Sequence, residues 1–129
     1  MSYLRELGFE DSVIELINKN LPKAALNNLT TEEYKVTQNI KYLKDLGISN
    51  YVDAFVKFYN MFLLDTDVFD SIFSKYDKED LIAKLEKNIA IMEYLEKQRN
   101  LFLFFCSFTN KLLCIIIIIN LLLNMLNVI

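Results

Sequence analysis

Three closely spaced aspartates, Asp65, Asp67 and Asp70, are the first residues whose spacing could hold a metal ion. A calcium-binding loop needs glycine at its sixth position and a bidentate glutamate at its twelfth. Counted from Asp65, those two positions hold Asp70 and Tyr76. The spacing therefore argues against a calcium loop, and it favours carboxylates that stabilise the N-terminus of a helix.

Other catalytic chemistry lacks its usual residues. The sequence contains no histidine, the commonest general base and metal ligand. Its two glycines lie far apart, which excludes a glycine-rich phosphate loop. Ser12, Ser49 and Ser71 have no candidate base near them in the sequence. We therefore predict a protein that is not an enzyme and that uses no cofactor or metal.

Both glycines belong to one repeated motif, which predicts the turns that organise the fold. Residues 3–9 read Tyr-Leu-Arg-Glu-Leu-Gly-Phe, and residues 42–48, 39 positions later, read Tyr-Leu-Lys-Asp-Leu-Gly-Ile. Glycine after an apolar helical stretch is typical of a helix C-terminus, where it adopts a left-handed conformation without strain. Gly8 and Gly47 are thus predicted structural turns. Valine should destabilise by more than about 1 kcal/mol at either position, and more at Gly47, which joins two complete helices.

Several polar residues are predicted to begin helices. Side-chain oxygens at these positions can accept hydrogen bonds from the unpaired N–H groups of a first helical turn. Thr30 forms a capping-box pattern with Glu33. The predicted helix caps are Ser12, Thr30, Asn50 and Asp77.

Apolar residues at helical spacing predict an all-α fold. Pro22 should end one helix near Asn20 and leave residues 23–28 as a linking stretch. A helix carrying Val36, Ile40, Leu43 and Leu46 is predicted to end at Gly47, and the next to present an apolar face from Val52 to Leu63. One long helix is predicted after Asp77, with a stripe reaching Leu95. Residues 1–99 contain no alternating pattern typical of strands.

The recurrence of the motif predicts a short array of helical hairpins. A unit of about 39 residues made of paired helices is in the range of helical repeats, which bury their apolar faces by stacking. About two units are complete. A third copy begins at Tyr94-Leu95 and fails where Gln98 and Arg99 replace Leu and Gly.

The composition changes after Arg99, which predicts a division into residues 1–99 and 100–129. All 17 acidic residues lie before that point, whereas residues 100–129 carry only the charge of Lys111. Leu112–Ile129 is long enough to predict a hydrophobic C-terminal helix and a membrane anchor. The alternatives are a core helix or a non-native end from a shifted reading frame. Cys106 and Cys114 are predicted to be buried thiols.

The motif resembles the repeats of the mitochondrial transcription termination factor family over about residues 3–97. Leu-x-x-Leu-Gly recurs there, and Leu21-Pro22-Lys23-Ala24-Ala25-Leu26 is similar to the family's Pro-x-x-Leu segment. The resemblance implies a helical solenoid that binds nucleic acid through a basic concave face. This chain has a net charge of −3, which disfavours that activity. The stretch from Leu46 to Phe55, with Asp80-Leu81, also resembles the sterile alpha motif.

These observations lead to one functional prediction and two alternatives. We expect a cytoplasmic, non-enzymatic helical-repeat module that binds a protein partner, or self-associates through open repeat ends. The first alternative is a nucleic-acid-binding repeat fragment. The second is an adaptor attached to a membrane through Leu112–Ile129.

Overall fold

The computed structural model describes residues 1–106 and 111–128, and every secondary-structure element in that part of the chain is a helix. The all-α prediction is confirmed. The chain forms two compact units, Met1–Ile89 and Ala90–Ile129. The first contains α1 (Tyr3–Glu6), α2 (Asp11–Asn20), α3 (Lys23–Thr31), α4 (Glu33–Leu46), α5 (Tyr51–Phe58), a 3₁₀ helix (Tyr59–Leu63), α6 (Thr66–Ser74) and α7 (Lys78–Lys87).

Helix α4 is the central element of the first unit. It contacts α1, α3, α5, the 3₁₀ helix and α6. Val36, Ile40 and Leu43 lie along one face of α4 at helical spacing, and all three are fully buried. The predicted apolar stripe of this helix therefore faces the core.

A continuous row of phenylalanines runs through the core of the first unit. Consecutive ring centroids lie 5.3 Å apart for Phe9 and Phe55, 5.2 Å for Phe55 and Phe62, and 5.1 Å for Phe62 and Phe69. Phe73 continues the row at 4.9 Å from Phe69. Rings at these separations attract one another beyond the effect of burial. The row connects the first glycine turn to α5, the 3₁₀ helix and α6.

The prediction of a linking stretch at residues 23–28 is wrong, because α3 covers it. Proline has no backbone N–H, but the N–H groups at the start of a helix have no helical partner, so nothing is lost there. A helix can therefore begin directly after Pro22. The Leu26 N–H donates to the Pro22 carbonyl at 3.1 Å and closes the first turn. Leu29, fully buried, holds α3 against the core.

Two predicted helices are each interrupted without glycine or proline. At Phe58 the backbone turns to φ −131° and ψ 41°, and the 3₁₀ helix follows. At Asn88 it becomes extended, with φ −150° and ψ 101°, so the long helix predicted after Asp77 ends at Lys87. Asparagine competes with helical hydrogen bonding through its own side chain, which makes it a common site for such a break.

The second compact unit contains α8 (Ile91–Cys106) and α9 (Lys111–Val128), which contact each other. Its buried side chains include Met92, Leu95 and Met125. The unit begins at Ala90, ten residues before the change in composition.

The predicted membrane segment, Leu112–Ile129, ends outside the described residues. Among the helices that the structure describes, none has both the length and the apolar character required to cross a membrane.

Tyr3 connects α1 to α3, and its ionisation makes the stability of the fold depend on pH above about pH 10. Its hydroxyl donates to the Leu29 carbonyl at 2.7 Å, and burial, with the charge of Glu33 adding, raises its pKa to about 12. Because the folded pKa lies above the unfolded value of about 10, this contribution is complete below pH 10 and is lost as pH rises towards 12.

We therefore expect the free energy of unfolding to fall more steeply above pH 10 in the wild type than in Tyr3→Phe, by up to about 1.4 kcal/mol per pH unit. Urea titrations at pH 8, 10 and 11 measure the difference. Parallel pH profiles for the two proteins would show that Tyr3 titrates alike in the folded and unfolded chain.

Candidate binding groove

A polar groove lies between α4 and α6 and has a volume of about 360 Å³. This lies in the range of ligand pockets, which begins at about 300 Å³. The α4 side chains that line it recur at helical spacing and therefore share one face of that helix. The lining residues are Tyr34, Gln38, Lys41, Tyr42 and Asp45 from α4, with Thr66 and Asp70 from α6.

Two tyrosines give the groove its aromatic surface. Tyr34 is 77% exposed, so most of its side-chain surface is in contact with solvent. Tyr42 is half-buried, with its ring centroid 6.0 Å from those of both Phe69 and Phe73. Burial, and secondarily the charge of Asp70, raise the pKa of Tyr42. The phenylalanine row therefore fixes one ring, whereas the other is free to meet a ligand.

Asp70 gives the groove a half-buried carboxylate. Burial raises its pKa, and the neighbouring charge of Asp67 adds to the effect. No ion pair to Asp70 occurs among the described residues, although Lys35 on α4 pairs with Asp65 at 3.1 Å and with Glu32 at 3.5 Å. A partly desolvated carboxylate without a cation gains from binding one, because the opposite charge stabilises its ionised form.

The two predicted structural turns have the same geometry. Gly8 and Gly47 have φ values of 99° and 105°, in the region that favours glycine. The backbone N–H of the apolar residue after each glycine donates to the carbonyl of the leucine five positions earlier. The distance is 3.0 Å from Phe9 to Leu4 and 3.1 Å from Ile48 to Leu43. Together with the glycine N–H bonds to Arg5 and Lys44, these form the Schellman arrangement at both turns.

The surroundings of the two glycines differ. A Cβ at position 8 would lie 2.5 Å from the Tyr51 hydroxyl, whereas one at position 47 would approach only Ile82 Cδ1, at 3.4 Å. The Tyr51 hydroxyl also donates to the Leu7 carbonyl at 2.8 Å. The first turn thus fits closely against the start of α5, and the second does not have this constraint.

Asp77 is the predicted cap that makes a capping hydrogen bond, accepting from the Asp80 N–H at 3.0 Å. Asn50 holds the N-cap position of α5, but its amide donates to the Leu85 carbonyl at 3.1 Å instead of capping the helix. The Ser49 hydroxyl donates to the carboxylate of Glu86 in α7, with 3.1 Å between Ser49 Oγ and Glu86 Oε1. The turn after α4 is therefore joined to the end of α7.

Two predicted caps are wrong. Ser12 lies inside the first turn of α2, whose N-cap is Glu10. Thr30 lies in the last turn of α3, and its hydroxyl donates to the Leu26 carbonyl at 2.9 Å. The capping-box pattern fails because α3 already occupies Thr30, so that the chain passes from α3 to α4 at Glu32.

Asn39 is a structural residue that the sequence analysis did not identify. It is fully buried on α4, and its amide nitrogen donates to the carbonyls of Phe62 at 2.9 Å and Leu64 at 2.8 Å. These bonds hold the end of the 3₁₀ helix against α4. The signal was present, because Asn39 lies three residues after Val36 and four before Leu43, on the apolar stripe.

The rest of the described chain offers less for ligand chemistry. No group of three or more histidine, cysteine, aspartate or glutamate side chains among the described residues could hold a metal ion. An apolar pocket between α2 and α5, lined by Leu16, Phe55 and Tyr59 among others, measures about 60 Å³. That volume is well below the usual size of a ligand site.

Comparisons with known proteins identify no relative: no family model matches the chain, and neither a curated protein nor a solved structure is significantly similar to it.

Proposed function

We propose that this chain is a non-enzymatic helical-repeat module that binds a basic segment of a protein partner in the groove between α4 and α6. The observation that carries the proposal is that an exposed ring, Tyr34, and a half-buried carboxylate, Asp70, line the same groove, and that Asp70 makes no ion pair among the described residues. Carboxylates bind lysine and arginine by charge-assisted hydrogen bonds, and tyrosine faces attract the same cations.

Protein rather than nucleic acid is the partner that the charges favour. Asp45 and Asp70 line the groove with a single cation, Lys41. These carboxylates would repel phosphate groups, because both are negatively charged. Affinity for nucleic acid comes mainly from lysine and arginine, of which the groove has one. A relationship to the transcription termination factor family remains a prediction.

Similar local arrangements in residues 3–31 and 42–74 support the repeat part of the proposal. Each has a helix ended by a glycine turn, a second helix and a third helix. The first tyrosine of each motif packs on the third helix of its own copy: Tyr3 bonds to Leu29 in α3, and Tyr42 contacts Phe69 in α6. The 3₁₀ helix lengthens the second copy.

The binding test uses a labelled eight-residue peptide of alternating arginine and glycine, with alternating glutamate and glycine as the control peptide. We expect the full chain to bind only the arginine peptide, and Asp70→Asn to weaken binding at least about fivefold. Fluorescence anisotropy at physiological salt measures both. Glu15→Gln, which removes an exposed carboxylate from α2, is the matched control and should change the affinity less than about twofold.

The tyrosine is tested separately. Tyr34→Phe keeps the ring and should retain the affinity, whereas Tyr34→Ala should weaken it about threefold or more, as expected for a cation lying over an exposed ring.

For the aspartate test, equal losses of affinity in Asp70→Asn and Glu15→Gln would contradict the proposal, because they would indicate unspecific attraction of the peptide to an acidic protein.

A further inference from the structure

Helix α9 has a continuous apolar stripe. Six large apolar side chains within 12 residues of this helix are between 45% and 79% exposed. At 100° per residue, all six lie within an arc of about 120° centred on Ile119. They are Ile115, Ile116, Ile119, Leu122, Leu123 and Leu126. A soluble monomer rarely exposes so many large apolar groups together.

The spacing within the stripe is that of a helix that pairs with another helix. Ile115, Ile119, Leu122 and Leu126 follow one another at intervals of four, three and four residues. This is the alternation of the two apolar positions of a heptad, whose side chains interlock with those of a facing helix. Branched aliphatic residues at these positions are typical of such contacts.

The charges of this helix are compatible with a second copy of itself. A two-fold interface brings the same patch of both copies together, so that a charged patch would repel itself. Residues 112–129 contain no charge, and Lys111 lies at the start of the helix. The polar side chains Asn120 and Asn124 are exposed and project outside the 120° arc.

We infer that the exposed stripe of α9 binds the same stripe of a second copy of this chain, forming a closed dimer of paired α9 helices. The stripe shares no residue with the groove between α4 and α6. A dimer presents two such grooves, which would strengthen binding to a partner that carries two basic segments.

Sedimentation velocity of the full chain over a hundredfold concentration range tests the inference. We expect a reversible monomer–dimer equilibrium. Ile119→Asp at the centre of the stripe, and separately Leu126→Asp, should weaken dimerisation at least about tenfold, because the pairing would bury unpaired charges. The matched control, Asn124→Asp, adds the same charge outside the arc and should change dimerisation less than about twofold. Circular dichroism of each variant checks that its helix content is unchanged.

Three results would overturn the inference. One is a monomer at all concentrations, and another is an open-ended aggregate instead of a dimer. The third is equal dissociation by Asn124→Asp and Ile119→Asp. Neutral phosphatidylcholine vesicles provide a separate test, in which a chain that leaves the dimer for the vesicles would contradict the inference, because its stripe would prefer lipid to a second copy.

Discussion

Replacing Gly8 by alanine should destabilise the fold by about 2 kcal/mol, roughly twice the cost of the same change at Gly47. Both substitutions place a side chain at positive φ, which costs roughly 1 kcal/mol. At position 8 the new Cβ also meets the Tyr51 hydroxyl at 2.5 Å, so that Tyr51 must leave its hydrogen bond to Leu7. A lost hydrogen bond adds about 1 kcal/mol. Urea denaturation measures both variants.

A double-mutant cycle isolates the contact. In a Tyr51→Phe background the nearest atom to the new Cβ is the ring carbon Cζ, at an ordinary 3.8 Å. Gly8→Ala should then cost no more than Gly47→Ala. An unchanged cost of Gly8→Ala in that background would show that strain at Gly8, and not its contact with Tyr51, sets the penalty. The structure thus reverses the order of the two glycines that the sequence predicts.

Replacing Asn39 by alanine should cost about 2–4 kcal/mol, because two carbonyl groups lose their donor together. The Phe62 and Leu64 carbonyls belong to the end of the 3₁₀ helix, where no helical N–H replaces the Asn39 amide. Asn39→Leu, which restores the side-chain volume, should be almost as destabilising. Thermal and urea unfolding of both variants give the free energies.

Asn27→Ala is the matched control. Asn27 is exposed in α3, where alanine is the better helix former, so this variant should be neutral or slightly more stable. If Asn39→Leu had the stability of the wild type, the buried amide would fill space without holding the 3₁₀ helix.

The sequence predicts those features that depend on local conformation. The two glycine turns follow from a preference of the glycine backbone, and Asp77 follows from a cap that needs only its own helix. The stripe of α4 follows from spacing alone. Each of these signals lies within about ten residues of the structure it produces.

The features that the sequence does not predict depend on contacts between distant residues. Asn39 bonds to residues more than 20 positions away, and Tyr51 bonds to Leu7 from the other glycine motif. The break at Phe58 has no glycine or proline to mark it, and the distant Asn39 amide binds the turn that follows. Thr30 shows the converse, since a capping-box pattern is overridden by α3, whose last turn contains Thr30.

The groove was partly predictable. Two of its residues stand out in the sequence, since Tyr42 begins the second repeated motif and Asp70 is one of the three closely spaced aspartates. Their meeting depends on α6 packing along α4, which brings together residues 28 positions apart. No local pattern encodes that approach, because the chain between α4 and α6 passes through α5 and the 3₁₀ helix, whose end is held against α4 by the Asn39 amide.

The central claim is that a basic segment binds in the groove between α4 and α6, and ring signals of the tyrosines in an NMR titration test it most directly. As the arginine peptide is added to the full chain, the rings of Tyr34 and Tyr42 should shift together and saturate with one affinity. The ring of Tyr3, which bonds to Leu29 outside the groove, should not move. Shifts that do not saturate at physiological salt, or that leave Tyr34 and Tyr42 unchanged while other residues move, would contradict the claim.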